Sequence, residues 1–281
     1  MSAIQPRSGA LPRRATLRVL ATFELRDELG ADSAPLLAAD ERRLLAALAV
    51  GSRPRTAREL AGMLWPTLTL DLALGTLDGV RDSLGDLVTV TGPAWRLADE
   101  VRVDLADALE RLRSWQRDPH GVAPSTLDEL VELLSQDLLA DMGEPWANQE
   151  REGFRRVRLH ALEALCTQLT ATGRHSAAIR AGALVVAAEP LRENARRNLI
   201  EAHLAAGNVS EAVQQYEAFV ETCARVGLTP NLELTAFFPP SPAWPVLHVR
   251  RPIHAGAAVG RGLRLDAAPR RAVGAGAVTR G

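Results

Sequence analysis

Six side chains in one stretch of this sequence have the chemistry to hold a polyanion: Arg53, Arg55 and Arg58, then Arg81, then Thr91 and Arg96. A guanidinium presents a planar fork of donors that matches phosphate in charge and shape, and a threonine hydroxyl can donate one bond to the same oxygens. Arg53, Arg55 and Arg58 cluster where the sequence starts a helix, and the free backbone amides of a helix start also favour phosphate. Each arginine has an alternative as an ordinary solvated charge. Between the two groups lies a face of opposite character. With Leu70, Leu74, Leu77 and Leu84 turned inward at about 100° per residue, Asp71, Gly75, Asp78, Gly79 and Asp82 point outward. Three carboxylates repel phosphates and release no counterions, while two glycines offer no base-edge contact and cost the helix about 1 kcal/mol each. Arg81 falls beside the apolar stripe, where it reaches a phosphate only obliquely. The face has two readings: a recognition surface that has decayed, or one that meets a protein, because small residues four apart allow close backbone approach.

The elements that must position these residues follow from capping and periodicity. Thr56 and Glu59 form a capping box, Leu60, Met63 and Leu64 lie inward on a helix over 57–65, and Pro66 stops it. A second helix follows at once and ends at Gly85, a left-handed C-cap position. Leu87, Val88 and Val90 then run to Gly92-Pro93, and the chain returns through Trp95 and Leu97 as a hairpin. Two helices meeting at an angle plus a wing make a winged helix-turn-helix, whose second helix would lie in a major groove. Ahead of it, alternation over 17–25 predicts one half-buried strand, with Pro35-Leu36-Leu37 able to return beside it across the turn at 30–33. Asp40 is expected to cap a helix over 41–50.

Beyond the wing, Val101 and Val103 read as a short strand, and Asp104 caps a helix over 105–115. A linker over 116–125 holds Pro119, Gly121 and Pro124, and Ser125 with Asp128 is expected to cap the next helix. From Glu144-Pro145-Trp146 onward the pattern is of antiparallel helices. Leu165, Ala171, Gly173, Ser176 and Ala178 recur as Leu199, Ala205, Gly207, Ser210 and Ala212, each pair 34 residues apart. That is the tetratricopeptide period. Two units cannot close a core alone, so neighbouring helices over 105–159 must complete it.

Composition narrows the class. An apolar content of 47% with 24% charged residues is that of a soluble globular protein, and no signal-peptide core follows Arg7, Arg13 and Arg14. A cytoplasmic location is expected. Charge is uneven: residues 237–281 hold seven arginines against Asp266 alone, whereas 15–104 hold ten arginines against fourteen carboxylates. A DNA-binding domain is usually basic, and this segment is not. There is no Walker loop, no GxGxxG after a strand, no HExxH and no GxSxG, so an enzyme is the weakest hypothesis. His160 with Glu163, or His175 near Cys166, lack further ligands at metal spacing, and no cofactor or metal is expected. Cys166 and Cys223 form no CxxC pair and read as buried free thiols.

Taken together, LRVLATFEL, LAGMLW, VRVDLADAL, Glu144-Pro145-Trp146 with Glu150-Arg151, RLHALEAL, EPLRE, HLAAGNVSEAVQQYE and GLTPNLEL, in this order, resemble the Streptomyces antibiotic regulatory protein (SARP) family. In that family an OmpR-like winged helix precedes an all-helical bacterial transcriptional activator domain. The resemblance covers about residues 17–234. It implies a cytoplasmic regulator that binds direct repeats near promoters and aids RNA polymerase, often as side-by-side protomers; composition suggests no membrane. Family members usually carry arginines at the positions of Gly79 and Asp82. The expected fold is mainly α: disorder over 1–14, a winged helix with a small sheet over 15–104, a tetratricopeptide-like helical domain over 105–236, and a disordered Pro/Gly/Arg tail over 237–281.

Overall fold

The computed structural model describes residues 14–231 apart from residues 52 and 120. The chain divides into two units, Met1–Pro242 and Ala243–Gly281; the second lies wholly outside the described residues, and all the described elements belong to the first. The segments expected to be disordered, 1–14 and 237–281, fall outside them too, apart from residue 14.

The chain opens with strands β1 (Ala15–Arg18) and β2 (Glu24–Asp27), paired antiparallel with Leu17 opposite Leu25. The single strand expected over 17–25 is thus a hairpin. Its reversal is imposed from a distance: the Asp104 carboxylate accepts the amides of Val19 at 2.9 Å and Leu20 at 3.2 Å, and Ala21, at φ 71°, donates to the Asp137 carbonyl at 2.6 Å. Nor does the segment at Pro35 return as a strand; Ala34–Leu36 is a 3₁₀ turn, consistent with a proline that has no N–H for a ladder.

Helix α1 (Ala39–Val50) is capped differently from expectation. Ala38 is its N-cap, and Glu41 reaches back to accept the Ala38 amide at 2.7 Å. Asp40 instead binds Arg43 and the Trp65 indole N–H, at 3.0 and 3.1 Å. A two-residue strand, β3 (Arg55–Thr56), leads into α2 (Ala57–Leu64), where Thr56 and Glu59 make the predicted capping box. Next come α3 (Leu70–Leu84), β4 (Val88–Thr91) and β5 (Ala94–Leu97). Strand β5 pairs with β4 and also with β3, so the wing is a three-stranded sheet tied to the start of α2. Strand β6 (Val101–Val103) returns to lie parallel to β1.

The helical part follows as α4 (Asp104–Arg117), α5 (Pro124–Ser135), α6 (Pro145–Ala171), α7 (His175–Ala188), α8 (Glu193–Ala205) and α9 (Val209–Arg225). Ser125 does not cap α5; Ala123 holds that position, and Asp128 is engaged by Arg174 instead. The 34-residue repeat is literal in the backbone. Arg174 donates to the Leu169 carbonyl at 2.8 Å, and Asn208 donates to His203 at 2.9 Å, each past a glycine in the left-handed region, Gly173 at φ 76° and Gly207 at φ 78°. These are the six-to-one bonds of a glycine-terminated helix, used twice at one period. At Gly182 a Cβ would lie 3.0 Å from Cys166 Sγ and 3.2 Å from Leu199 Cβ, so its absence lets α6, α7 and α8 close together. One contiguous core runs from Leu17 and Leu25 through Leu44, Leu60 and Leu77 to Leu134, Leu162 and Leu165, so winged helix and helical part share their apolar interior.

Candidate nucleic-acid interface

Helix α3 is rolled as its periodicity requires. Ala73, Leu77 and Leu84 are buried, whereas Asp71, Gly75, Asp78, Gly79 and Asp82 are exposed. A Cβ at Gly75 or Gly79 would meet nothing within 4 Å, so neither glycine serves packing among the described residues. Leu72, which periodicity did not single out, is 62% exposed on the same helix. No basic side chain shares that face. Arg81 lies beside it, but its guanidinium donates to Asp82 at 2.7 Å, sits 3.7 Å from Asp78, and stacks 5.8 Å from the centroid of the Trp95 ring. The bond to Asp82 raises its pKa further, and the pair is a closed local circuit joining α3 to the wing.

The other predicted contacts are brought near the start of α2 and the wing, with most of their charge already spent. Arg53 donates to Glu59 at 2.6 Å, and that bond draws the Glu59 carboxyl down to about 2. Glu59 also serves the capping box, so the cap residue and the cation share one carboxylate. Arg55 turns away from the wing to donate to Glu150 of α6 at 2.6 Å. Arg96 donates to Asp99 at 2.5 Å, beyond the end of its own strand. Thr91 is exposed where β4 turns toward Gly92. Arg58, exposed on the first turn of α2, has no hydrogen-bond or ion-pair partner among the described residues. In the winged helix only Arg102, on β6 of the other sheet, shares that state among the described residues.

The partners Glu150 and Asp99 were not found from sequence. Asp99 is three residues from Arg96, a spacing that sequence could have flagged; Glu150 is 95 residues from Arg55 and carried no local signal. Neither cysteine offers chemistry: Cys166 is buried, its thiol pushed up to about 12 by that burial, and Cys223 is buried with its thiol also raised. Among the described residues no cluster of three His, Cys, Asp or Glu could hold a metal, and no helix is long and apolar enough to cross a membrane.

A winged helix-turn-helix followed by stacked helix pairs of 34-residue period defines the architecture of a bacterial transcription regulator. Residues 98–238 match the family model of the bacterial transcriptional activator domain, and the chain belongs to that family, among its SARP-type regulators. It is 31% identical over 190 residues to the regulatory protein AfsR of Streptomyces coelicolor, an alignment covering 63% of this chain and 19% of AfsR. The chain therefore spans about a fifth of that relative's length. A solved structure of Mycobacterium tuberculosis EmbR, in complex with a low affinity phosphopeptide, shares the fold with a TM-score of 0.61 and 21% identity, over 79% of this chain and 63% of that one.

Proposed function

We propose that this chain is a cytoplasmic transcription regulator that works through protein contacts of its helical part, with a winged helix that keeps its shape but reads no base sequence. The observation that carries this is the outer face of α3, which presents Asp71, Asp78 and Asp82 with two bare glycines and no cation. Direct readout needs donors and acceptors that reach base edges, and approach to a duplex needs cations that displace its counterions. Helix α3 supplies neither. The expected domains are a winged helix over 15–104 and a helical domain over 105–236, and the partners the resemblance implies, RNA polymerase and a second protomer, fall to the latter.

One observation favours a residual hold on DNA. Arg58 is exposed on the first turn of α2 and has no partner among the described residues, and helix starts in general favour phosphate. Together with Arg53, Arg96 and Thr91, it supports contact with phosphates and none with bases.

Binding of the full chain to its own upstream duplex, measured by fluorescence anisotropy as salt is varied, tests this proposal. A slope of log affinity against log salt of about −1 to −2 is expected, the release from one or two phosphates. A slope near −6 would mean that many cations meet the backbone, and would overturn the proposal.

A further inference from the structure

The seam between the winged helix and the helical part is built from arginines. Arg42 of α1 donates to Asp141 at 3.0 Å, and Arg43 of α1 lies 3.3 Å from Glu144. From the other side, Arg151 of α6 gathers the carbonyls of Leu138, Leu139 and Met142, the Leu138 bond at 2.7 Å. That loop in turn adds its backbone to the first sheet, with Leu139 donating to Val19 at 2.8 Å and Ala140 to Ala21 at 2.7 Å. These contacts fix how α6 lies against the winged helix.

Arg55 belongs to this seam by contact and to the candidate interface by position. It immediately precedes Thr56, the N-cap of α2, and is paired across the wing sheet with Trp95. A side chain leaving the backbone there toward solvent would stand beside Arg53 and Arg58. It runs inward instead. Its Nη2 donates to Glu150 Oε1 at 2.6 Å, its Nη1 lies 3.0 Å from Met63 Sδ, and its Nε would be only 3.1 Å from a Cβ at Gly51. The missing Cβ makes the slot, the thioether lines it and the carboxylate closes it, leaving the side chain 18% exposed. An exposed ion pair contributes little, but one seated in a slot holds its arginine in place.

We propose that Arg55 and Glu150 form a clasp by which the helical part withholds a cation from the winged helix, so that shifting α6 at Glu150 releases Arg55 to a phosphate. The clasp thereby links any partner that moves α6 to the polyanion affinity of the winged helix. This inference rests on the phosphate contacts proposed for the winged helix, whether or not bases are read as well.

The test is the salt dependence of full-chain binding to a duplex of arbitrary sequence. Glu150→Ala is expected to steepen the slope by about 0.9, so that the ratio of affinities at ~50 and ~200 mM salt grows about threefold. Adding Arg55→Gln to that variant returns the slope to the wild-type value, while Arg55→Gln alone leaves the wild type unchanged. Glu152→Ala removes the same charge from α6 next to Arg155 rather than Arg55, and its effect is expected to be the same with or without Arg55. A slope no steeper for Glu150→Ala than for Glu152→Ala, or a wild type flattened by Arg55→Gln as much as by Arg58→Gln, overturns the clasp. If circular dichroism shows Glu150→Ala unfolded, the exchanged pair Arg55→Glu with Glu150→Arg replaces it: a wild-type slope supports the clasp and a steeper one overturns it. Sequence-selective binding by the wild type would sink the proposed function and leave the clasp standing.

Discussion

The outer face of α3 and the seam beside α6 use the same residue types in opposite ways. On α3 carboxylates point to solvent and Arg81 is tied down by Asp82; at the seam Arg42, Arg43 and Arg55 reach carboxylates that the helical part supplies. In a DNA-reading winged helix the free cations belong on the duplex side. Here most cations of the winged helix are held by carboxylates, three of them at the joint. A winged helix can keep its fold while its charge serves assembly, because the core that sets the fold and the surface that meets DNA are separate sets of side chains.

The largest effects are expected at glycines, one inside the helical part on α7 and two on the outer face of α3. Gly182 is walled in by Cys166 and Leu199, so Gly182→Val should destabilise the chain by about 3 kcal/mol in chemical denaturation. A loss under about 1 kcal/mol would mean that α6, α7 and α8 are packed less closely than the contacts of Gly182 require. Gly75 and Gly79 face open space, so Gly75→Ala with Gly79→Ala should stabilise by about 1 kcal/mol each in the same assay. A net destabilisation would show that something covers that face.

Next in size is the charge of α3 itself. Asp78→Arg with Asp82→Arg removes two repulsions, adds two cations and frees Arg81 from Asp82. Duplex affinity should rise about tenfold at ~50 mM salt, with a slope steeper by about 2. Unchanged binding would mean that α3 does not approach DNA at all.

The smallest effect expected is at the cap of α2. Glu59 is held at about 2, below its ordinary value, so its contribution is present above the unfolded-state value of 4.5 and lost as pH falls toward 2. The stability gap between wild type and Glu59→Gln, followed by thermal unfolding, should be full at pH 6 and close as the pH approaches 2. A gap constant across that range would mean that Arg53 and the cap do not favour the ionised form.

Much of the helical organisation was legible in the sequence because its causes are local. The capping box at Thr56, the stop at Pro66, the wing turn at Gly92 and the repeated glycine turns are each specified within a few residues, and the outward set on α3 follows from helical periodicity alone. What escaped has non-local causes. The first hairpin is bent by Asp104 and Asp137, more than eighty residues away. The pairing of β3 with β5 involves two residues, too short for alternation to reveal. The capping residues foreseen for α1 and α5 are engaged by tertiary partners: the Trp65 indole binds Asp40, and Arg174 binds Asp128. Of the six candidate contacts, sequence could place Arg58, Arg81, Thr91 and Arg96 on their elements, but it missed both the strand that carries Arg55 and the partner Arg55 finds in α6.

Whether this winged helix reads bases is decided by competition between the chain's own upstream duplex and a scrambled duplex of equal length at one salt concentration. Equal affinities for the two are expected of a winged helix that holds phosphates alone. A preference of about 10³ for the upstream sequence, the scale at which specific recognition begins, would contradict it.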